Sequence, residues 1–325
     1  MKKILYRFDA NKKIGFGHLI RCCQLAKEFK KKKVQNILYG NIRNVDSLFF
    51  KTYFQKVIKV KRSDVIKETN NIIRIHKKLK CNLLVLDKFN SSNKMRKIFK
   101  KKNIKWFEFI KSKSMPNLPT YGICSIPYKN SKINFFKGKI YFGKNYSVLR
   151  DQFYKKKSVK TKNYIFINSG GGDDKGSIIF ILKKVLPLLS KIRVFLLVGN
   201  NSSLPKIKDW IKNNDKKRMI KILLNKENIV NYIDQSLFAI CSGGTISQEI
   251  DSRSKKMMIF SITKNQLHQS KNWENFGHYY LGKFKNIKDT RFKKIFQNLK
   301  KSKEKKFKVR KKDYLKVINN ILREI

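Results

Sequence analysis

The sequence predicts an α/β fold built on two parallel sheets, one in each half of the chain. Three observations predict it. Apolar runs of strand length alternate with lysine-studded segments of helical period. Three of the apolar runs end in a glycine-bearing turn that leads into a helix, the arrangement that places ligands at the carboxyl ends of strands. And 325 residues suffice for two domains, each with its own core.

In chain order, Lys3–Phe8 reads as the first strand, followed by a glycine-bearing loop and a helix running to about Lys31. Val34–Tyr39 is a second strand. Asp64–Leu79 carries Val65, Ile66, Ile72, Ile73 and Ile75 among charges, a helical pattern. Leu83–Leu86 is a fully apolar strand ending at Asp87; a helix is expected near Lys94–Lys101 and a strand over Ile104–Phe109. Trp106, Phe107 and Phe109 are expected in the core. Tyr154–Lys162 (YKKKSVKTK) lacks apolar periodicity and reads as a linker. The pattern then restarts with strand Tyr164–Asn168, the turn Ser169–Asp173 and a helix over Ser177–Leu189. Strands Arg193–Val198, Leu237–Cys241 and Met257–Ile262 follow, the second of these running into Ser242–Thr245 and a helix from Ile246. The expected division is 1–155, 156–300, and a basic C-terminal segment with a helix over 301–325, the helix covering Tyr314–Arg323.

The net charge of +57 invites a nucleic-acid or anionic-membrane reading. Alanine, however, occurs only at positions 10, 26 and 239, while Lys, Asn, Ile and Phe abound. That residue set follows AT-rich codons, so genome composition accounts for much of the lysine. The lysines are spread along the chain, no nucleic-acid motif accompanies them, and no specific nucleic-acid partner is expected. No apolar run approaches the ~20 residues of a membrane span. Arg7 and Asp9 interrupt the opening apolar stretch, so a signal peptide is not expected. Five cysteines without C-x-x-C spacing read as reduced thiols of a cytoplasmic protein, and a monomer is expected.

Gly15-Phe16-Gly17-His18 is an incomplete dinucleotide signature, because Ile20 stands where a third glycine belongs. A helix N-terminus between glycines suits an anion, and His18 there is either a general base or a cap on its own helix. Asp9 is either the carboxylate that fixes the His18 tautomer or a turn-former. Arg21, three residues along the helix, shares the face of His18 and either meets phosphate or is solvated. The glycines of Ser169-Gly170-Gly171-Gly172-Asp173 allow a diphosphate to approach the backbone, with amides of the next helix as donors; a plain tight turn is the other reading. Ser242-Gly243-Gly244-Thr245 makes the same offer. Glu249, one turn on, suits a ribose or is an ordinary exposed glutamate. Asn265, Gln266 and Gln269 are either donors to sugar or phosphate, or satisfy their own loop. Glu274 and His278 with His268 fall short of a ligand set, so neither metal nor cofactor is expected.

The stretch RFDANKKIGFGHLIRCCQLA (7–26) closely resembles the N-terminal signature of the sugar-nucleotide hydrolases of pseudaminic acid biosynthesis and related spore-coat polysaccharide proteins. KNYSVLRDQF (144–153), NSGGGDDKG (168–176), ICSGGTISQEI (240–250) and TKNQ (263–266) resemble further segments of that family, in consistent order to about residue 285. ICSGGTISQEI is also similar to the UDP-binding segment of lipid II-forming N-acetylglucosaminyltransferases. The resemblance implies a GT-B fold, two Rossmann-like domains facing across a cleft, with a UDP-sugar as substrate. It puts the catalytic histidine on His18, the ribose-binding glutamate on Glu249, and diphosphate contacts on Gly170–Asp173 and Gly243–Thr245. Gly15, Gly17, Arg21, Asp87, Ser242, Asn265 and Gln266 join the expected substrate contacts. Two departures bear on the sugar: Asp87-Lys88-Phe89 stands where the family tends to Asp-His-Tyr, and Phe107-Glu108-Phe109 replaces an acidic pair. The implied reaction is metal-independent hydrolysis at the anomeric carbon. A glycosyltransferase on the same scaffold is the alternative, and a basic nucleic-acid or membrane-surface binder is a second.

Overall fold

The computed structural model describes every residue except 12–14, 43–50, 61–62, 89–91, 111–116, 129–138, 156–158, 173, 200–202, 225–227 and 302–308. The chain forms two compact units, Met1–Arg150 together with Val309–Ile325, and Asp151–Lys308. The C-terminal helix thus belongs to the first unit rather than standing apart as a tail.

The first unit is a seven-stranded sheet with every pair parallel, in the order β3-β2-β1-β4-β5-β6-β7. Its strands are β1 (Lys3–Phe8), β2 (Gln35–Gly40), β3 (Lys56–Lys59), β4 (Leu83–Asp87), β5 (Trp106–Phe109), β6 (Tyr121–Cys124) and β7 (Lys139–Phe142). β4 is buried along its whole length, as a strand covered on both faces must be. Helix α1 (Gly17–Lys31) follows β1. Helix α2 (Val65–Lys78) starts at Asp64, whose carboxylate accepts from the Ile66 and Lys67 amides, and it buries Ile72 and Ile73. Helix α3 (Asn93–Lys101) is capped by Ser92, which accepts from the Met95 amide.

The second unit is a six-stranded parallel sheet, order β10-β9-β8-β11-β12-β13. Its strands are β8 (Tyr164–Asn168), β9 (Arg193–Val198), β10 (Ile220–Leu224), β11 (Ala239–Ser242), β12 (Met257–Ser261) and β13 (Tyr279–Lys283). Its helices are α4 (Ser177–Val185), α5 (Leu204–Asn214), α6 (Val230–Asp234), α7 (Thr245–Ser252), α8 (Lys264–Asn272) and α9 (Asp289–Lys300). The helix expected to run to Leu189 closes at Val185 and tightens into a 3-10 turn over Leu186–Leu188, which contains Pro187. Ile165, Ile167, Ile181, Leu182, Val194 and Phe238 anchor the core.

Helix α10 (Lys311–Glu324) returns to the first unit and buries Tyr314, Val317, Ile318 and Ile321. The Tyr314 hydroxyl accepts from Gln24 Nε2 at 3.3 Å, Lys311 pairs with Glu28 at 2.9 Å, and Tyr121 donates to Glu324 at 2.8 Å. The chain's end therefore braces α1, the helix that carries His18.

Candidate functional site

Each sheet reverses its strand order beside its first strand, and such reversals open a crevice at the carboxyl ends of the flanking strands. In the first unit those strands are β1 and β4, in register so that Phe8 lies opposite Asp87. Gly15 sits at a φ of 87°, where a side chain would be strained, and its amide closes on the Asn11 carbonyl at 2.8 Å. Two residues later α1 begins, without a side-chain cap. Its second residue is His18.

The His18 side chain is not a cap. Its Nδ1 lies 2.7 Å from Asp87 Oδ1, and it retains 14% exposure while Asp87 has 1%. Arg21 reaches the same carboxylate with Nε on Oδ2 and Nη2 on Oδ1, both at 2.5 Å. The Cys22 thiol completes the group at 3.6 Å from Oδ2. Burial alone would raise the Asp87 carboxyl, but the charge of Arg21 and then the contact with His18 outweigh it and hold it well below the usual range. Asp87 is therefore ionised at neutral pH. An ionised carboxylate only accepts, so the His18 Nδ1 contact is a donation from the ring, and Arg21 Nη2 lies 3.0 Å from the same nitrogen.

Asp9 does not orient His18. Its Oδ1 and Oδ2 take Arg7 at 2.5 and 3.1 Å, and Oδ1 also accepts from the Asn41 amide at 2.9 Å. The physical reason is strand geometry, since residues two apart point the same way. Arg7 is held from the other side by Glu68, which Lys88 also contacts. Arg21 spends Nε and Nη2 on Asp87. Sequence reasoning placed Asp87 against substrate and missed its link to His18. Phe109 lies beneath the Arg21 guanidinium at 4.4 Å from the ring centre, and Glu108 pairs with Arg96 inside the unit at 2.8 Å.

In the second unit the reversal lies between β8 and β11, whose ends align Asn168 with Cys241. Gly170 has a φ of 99° and donates its amide to Asn168 Oδ1 at 2.9 Å, while Asn168 Nδ2 donates to the Leu197 carbonyl. Ser242 Oγ donates to the Ser169 carbonyl at 2.8 Å, tying the two glycine turns together. Gly171 is exposed and Gly172 half-buried; Asp173 lies outside the described residues. The amides of α4 are not all on offer, because the Asp174 carboxylate already accepts from Ile178 N at 2.9 Å. Helix α7 begins at Thr245 without a side-chain cap, and the Ser247 amide already donates to the Gly244 carbonyl at 3.1 Å, which leaves the Thr245 and Ile246 amides to an outside acceptor.

Gly243 is buried and packs on α8, and the Gly244 carbonyl accepts from Ser247 Oγ at 2.7 Å. Glu249 is 5% exposed, which excludes the ordinary surface glutamate. Gln266 Oε1 accepts from Ile262 N at 2.8 Å, so half of its amide holds its own loop, and Gln269 Nε2 reaches the Gly244 carbonyl at 3.5 Å. Asn265 is exposed and takes the Thr263 hydroxyl. His278 pairs with Asp251 at 2.8 Å inside the unit. Among the described residues no three His, Cys, Asp or Glu gather as a metal-holding group, and no helix is long and apolar enough to cross a membrane. All five cysteines are free and buried.

No family model matches the chain. It is 25% identical to UDP-2,4-diacetamido-2,4,6-trideoxy-beta-L-altropyranose hydrolase of Campylobacter jejuni over 270 residues, 81% of this chain and 93% of that one. The resemblance carried by the sequence motifs thus extends along most of the chain. An uncharacterized protein of Methanocaldococcus jannaschii is 24% identical over 259 residues, 74% of this chain but only 52% of its own length. Among solved structures, MurG of Acinetobacter baumannii matches with a TM-score of 0.67 at 10% identity, covering 99% of this chain and all of that one. UDP-GlcNAc 2-epimerase of Methanocaldococcus jannaschii, solved with UDP-GlcNAc and UDP, matches at 0.65 with 12% identity over 99% of both. The two parallel-sheet units and these likenesses define a GT-B fold.

Proposed function

We propose that the chain is a hydrolase of a nucleotide-activated amino sugar, UDP-2,4-diacetamido-2,4,6-trideoxy-β-L-altropyranose or a close analogue, in the making of a pseudaminic acid-type surface polysaccharide. The observation that carries it is the His18–Asp87 pair at the strand reversal of the first unit. In this reading the second unit takes UDP. The Gly170–Gly172 turn and the amides of Gly244 and Thr245 meet the diphosphate, the Gly243 amide being taken by the Phe260 carbonyl at 3.0 Å, and Glu249 meets the ribose hydroxyls.

His18 Nε2 removes a proton from water as its oxygen attacks the anomeric carbon. The bond from that carbon to the phosphate oxygen breaks, and its electron pair leaves with UDP. Developing charge on the leaving group is met by backbone donors and the N-terminus of α7. Asp87 keeps Nδ1 protonated and stabilises the imidazolium that forms. No step calls for a metal. The curated relative's name supports hydrolysis, and the uridine nucleotide on the epimerase supports the donor class. The five buried thiols fit the cytoplasm.

Release of UDP from a panel of UDP-, CDP- and GDP-sugars is the direct assay. His18→Asn should slow it by about 10²–10⁴-fold, and a variant with near-normal turnover removes His18 from the mechanism. In oxygen-18 water the label should enter the sugar; label in UDP refutes attack at carbon. The likeness to MurG keeps a transferase as the second reading, and UDP release that needs an added hydroxyl acceptor would select it.

A further inference from the structure

We infer that Arg21 is a positioning residue, whose guanidinium takes up the charge of Asp87 so that His18 stays neutral and keeps the Nε2 lone pair for its substrate proton. The inference rests on the proposed role of His18 as a base. A buried carboxylate on one ring nitrogen favours the protonated imidazole, and a cation beside the pair opposes it. Asp87 is 2% exposed, so its charge acts on the ring with little screening by water. Arg21 removes the difficulty geometrically. It binds both carboxylate oxygens through Nε and Nη2, and Nη2 stands 3.0 Å from His18 Nδ1, where a further positive charge disfavours protonation of the ring.

The fork is held flat by the Phe109 ring at 4.4 Å, a contact that favours a cation and covers it from water. Phe109 is itself 6% exposed. The three-residue spacing of His18 and Arg21 on α1 puts both over the end of β4. Among the described residues, the groups that bear on the pair come from each neighbouring element. Asp87 comes from β4, and Cys22, on α1, puts its thiol on Asp87 Oδ2. Arg7 from β1, Asp9 just past its end, Glu68 from α2, and Lys88 past the end of β4 pair with one another as two positive and two negative groups. Arg21 is thus the cation assigned to Asp87.

The test reads the His18 imidazole directly. The chain has four histidines, so loss of one ring resonance in His18→Asn assigns the signal. In Arg21→Gln the His18 titration midpoint should rise by about one pH unit or more. The acid limb of the hydrolysis rate should move up by the same amount, with the rate recovering at high pH. Arg21→Lys, which keeps the charge, should titrate near wild type, and Asp87→Asn should lower the midpoint. If Arg21→Gln does not fold, Asp87→Asn/Arg21→Gln buries no unpaired charge and should titrate above Asp87→Asn alone, in which the Arg21 charge still stands beside the ring. An Arg21→Gln midpoint equal to wild type, a rate lost equally at every pH, or a double variant that titrates at or below Asp87→Asn overturns the assignment. The resonance is read without substrate. Absence of turnover on every nucleotide sugar would therefore sink the hydrolase reading while leaving the Arg21 result standing.

Discussion

Replacing Gly243 by alanine tests how closely the second glycine turn is fitted to its support. The backbone there has no positive φ, so strain in the dihedral angles is not at issue. Space is. A methyl group on Gly243 would lie 1.8 Å from Ser270 Oγ, 3.0 Å from Ser270 Cβ and 3.3 Å from the Gln266 carbonyl oxygen. Ser270 is fully buried and its hydroxyl accepts from Ser261 Oγ at 3.0 Å, so it cannot swing away without loss. Overpacking of this kind costs about 1–3 kcal/mol. Ser270→Ala removes the worst clash and forfeits one hydrogen bond, about 0.5–1.5 kcal/mol. Ser261 keeps Tyr280 at 3.2 Å, which favours the low end. The 3.0 Å contact with Cβ remains in the double variant, so relief is partial. Equilibrium urea unfolding of the four proteins should show a favourable coupling of at least about 0.5 kcal/mol. Gly243→Ala within about 0.5 kcal/mol of wild type, together with strict additivity, would refute the packing argument, since that is the usual scatter between independent sites.

Acid should weaken the first unit through His76. Burial first, and the charge of Lys77 second, push this imidazole down to about 4, and among the described residues its Nε2 has no hydrogen-bond partner. The unfolded chain binds a proton near pH 6.5 that the folded one refuses, so stability falls as pH drops from about 6.5 toward about 4. His76→Gln should flatten that slope between pH 7.5 and 5 in urea melts; equal losses in both proteins would dismiss the group. Tyr314→Ala should cost about 3–5 kcal/mol, as for other large buried rings, because Tyr314 is fully buried between α10 and α1. A thermal midpoint unmoved by that change would show that α10 does not brace α1.

The strands legible in the sequence are β1, β2, β4, β5, β8, β9, β11 and β12, most of them buried along most of their length. The strands it did not disclose are short or edge-like. β3 (KVIK) is mostly exposed, β6 and β7 have four residues each, and β13 carries a glycine at a φ of 95°. Those segments are made into strands by a neighbour's open edge, which a single stretch of sequence does not record. The site divides along the same line. Helical spacing correctly put Arg21 on the face of His18, since that relation is local. What each touches is not local. Asp87 lies 69 residues from His18 and meets it because β4 joins β1 in parallel, whereas Asp9, nearer in sequence, points with Arg7 along its own strand. A doubly wound parallel sheet reverses beside its first strand, which brings a strand distant in sequence, here β4, against β1.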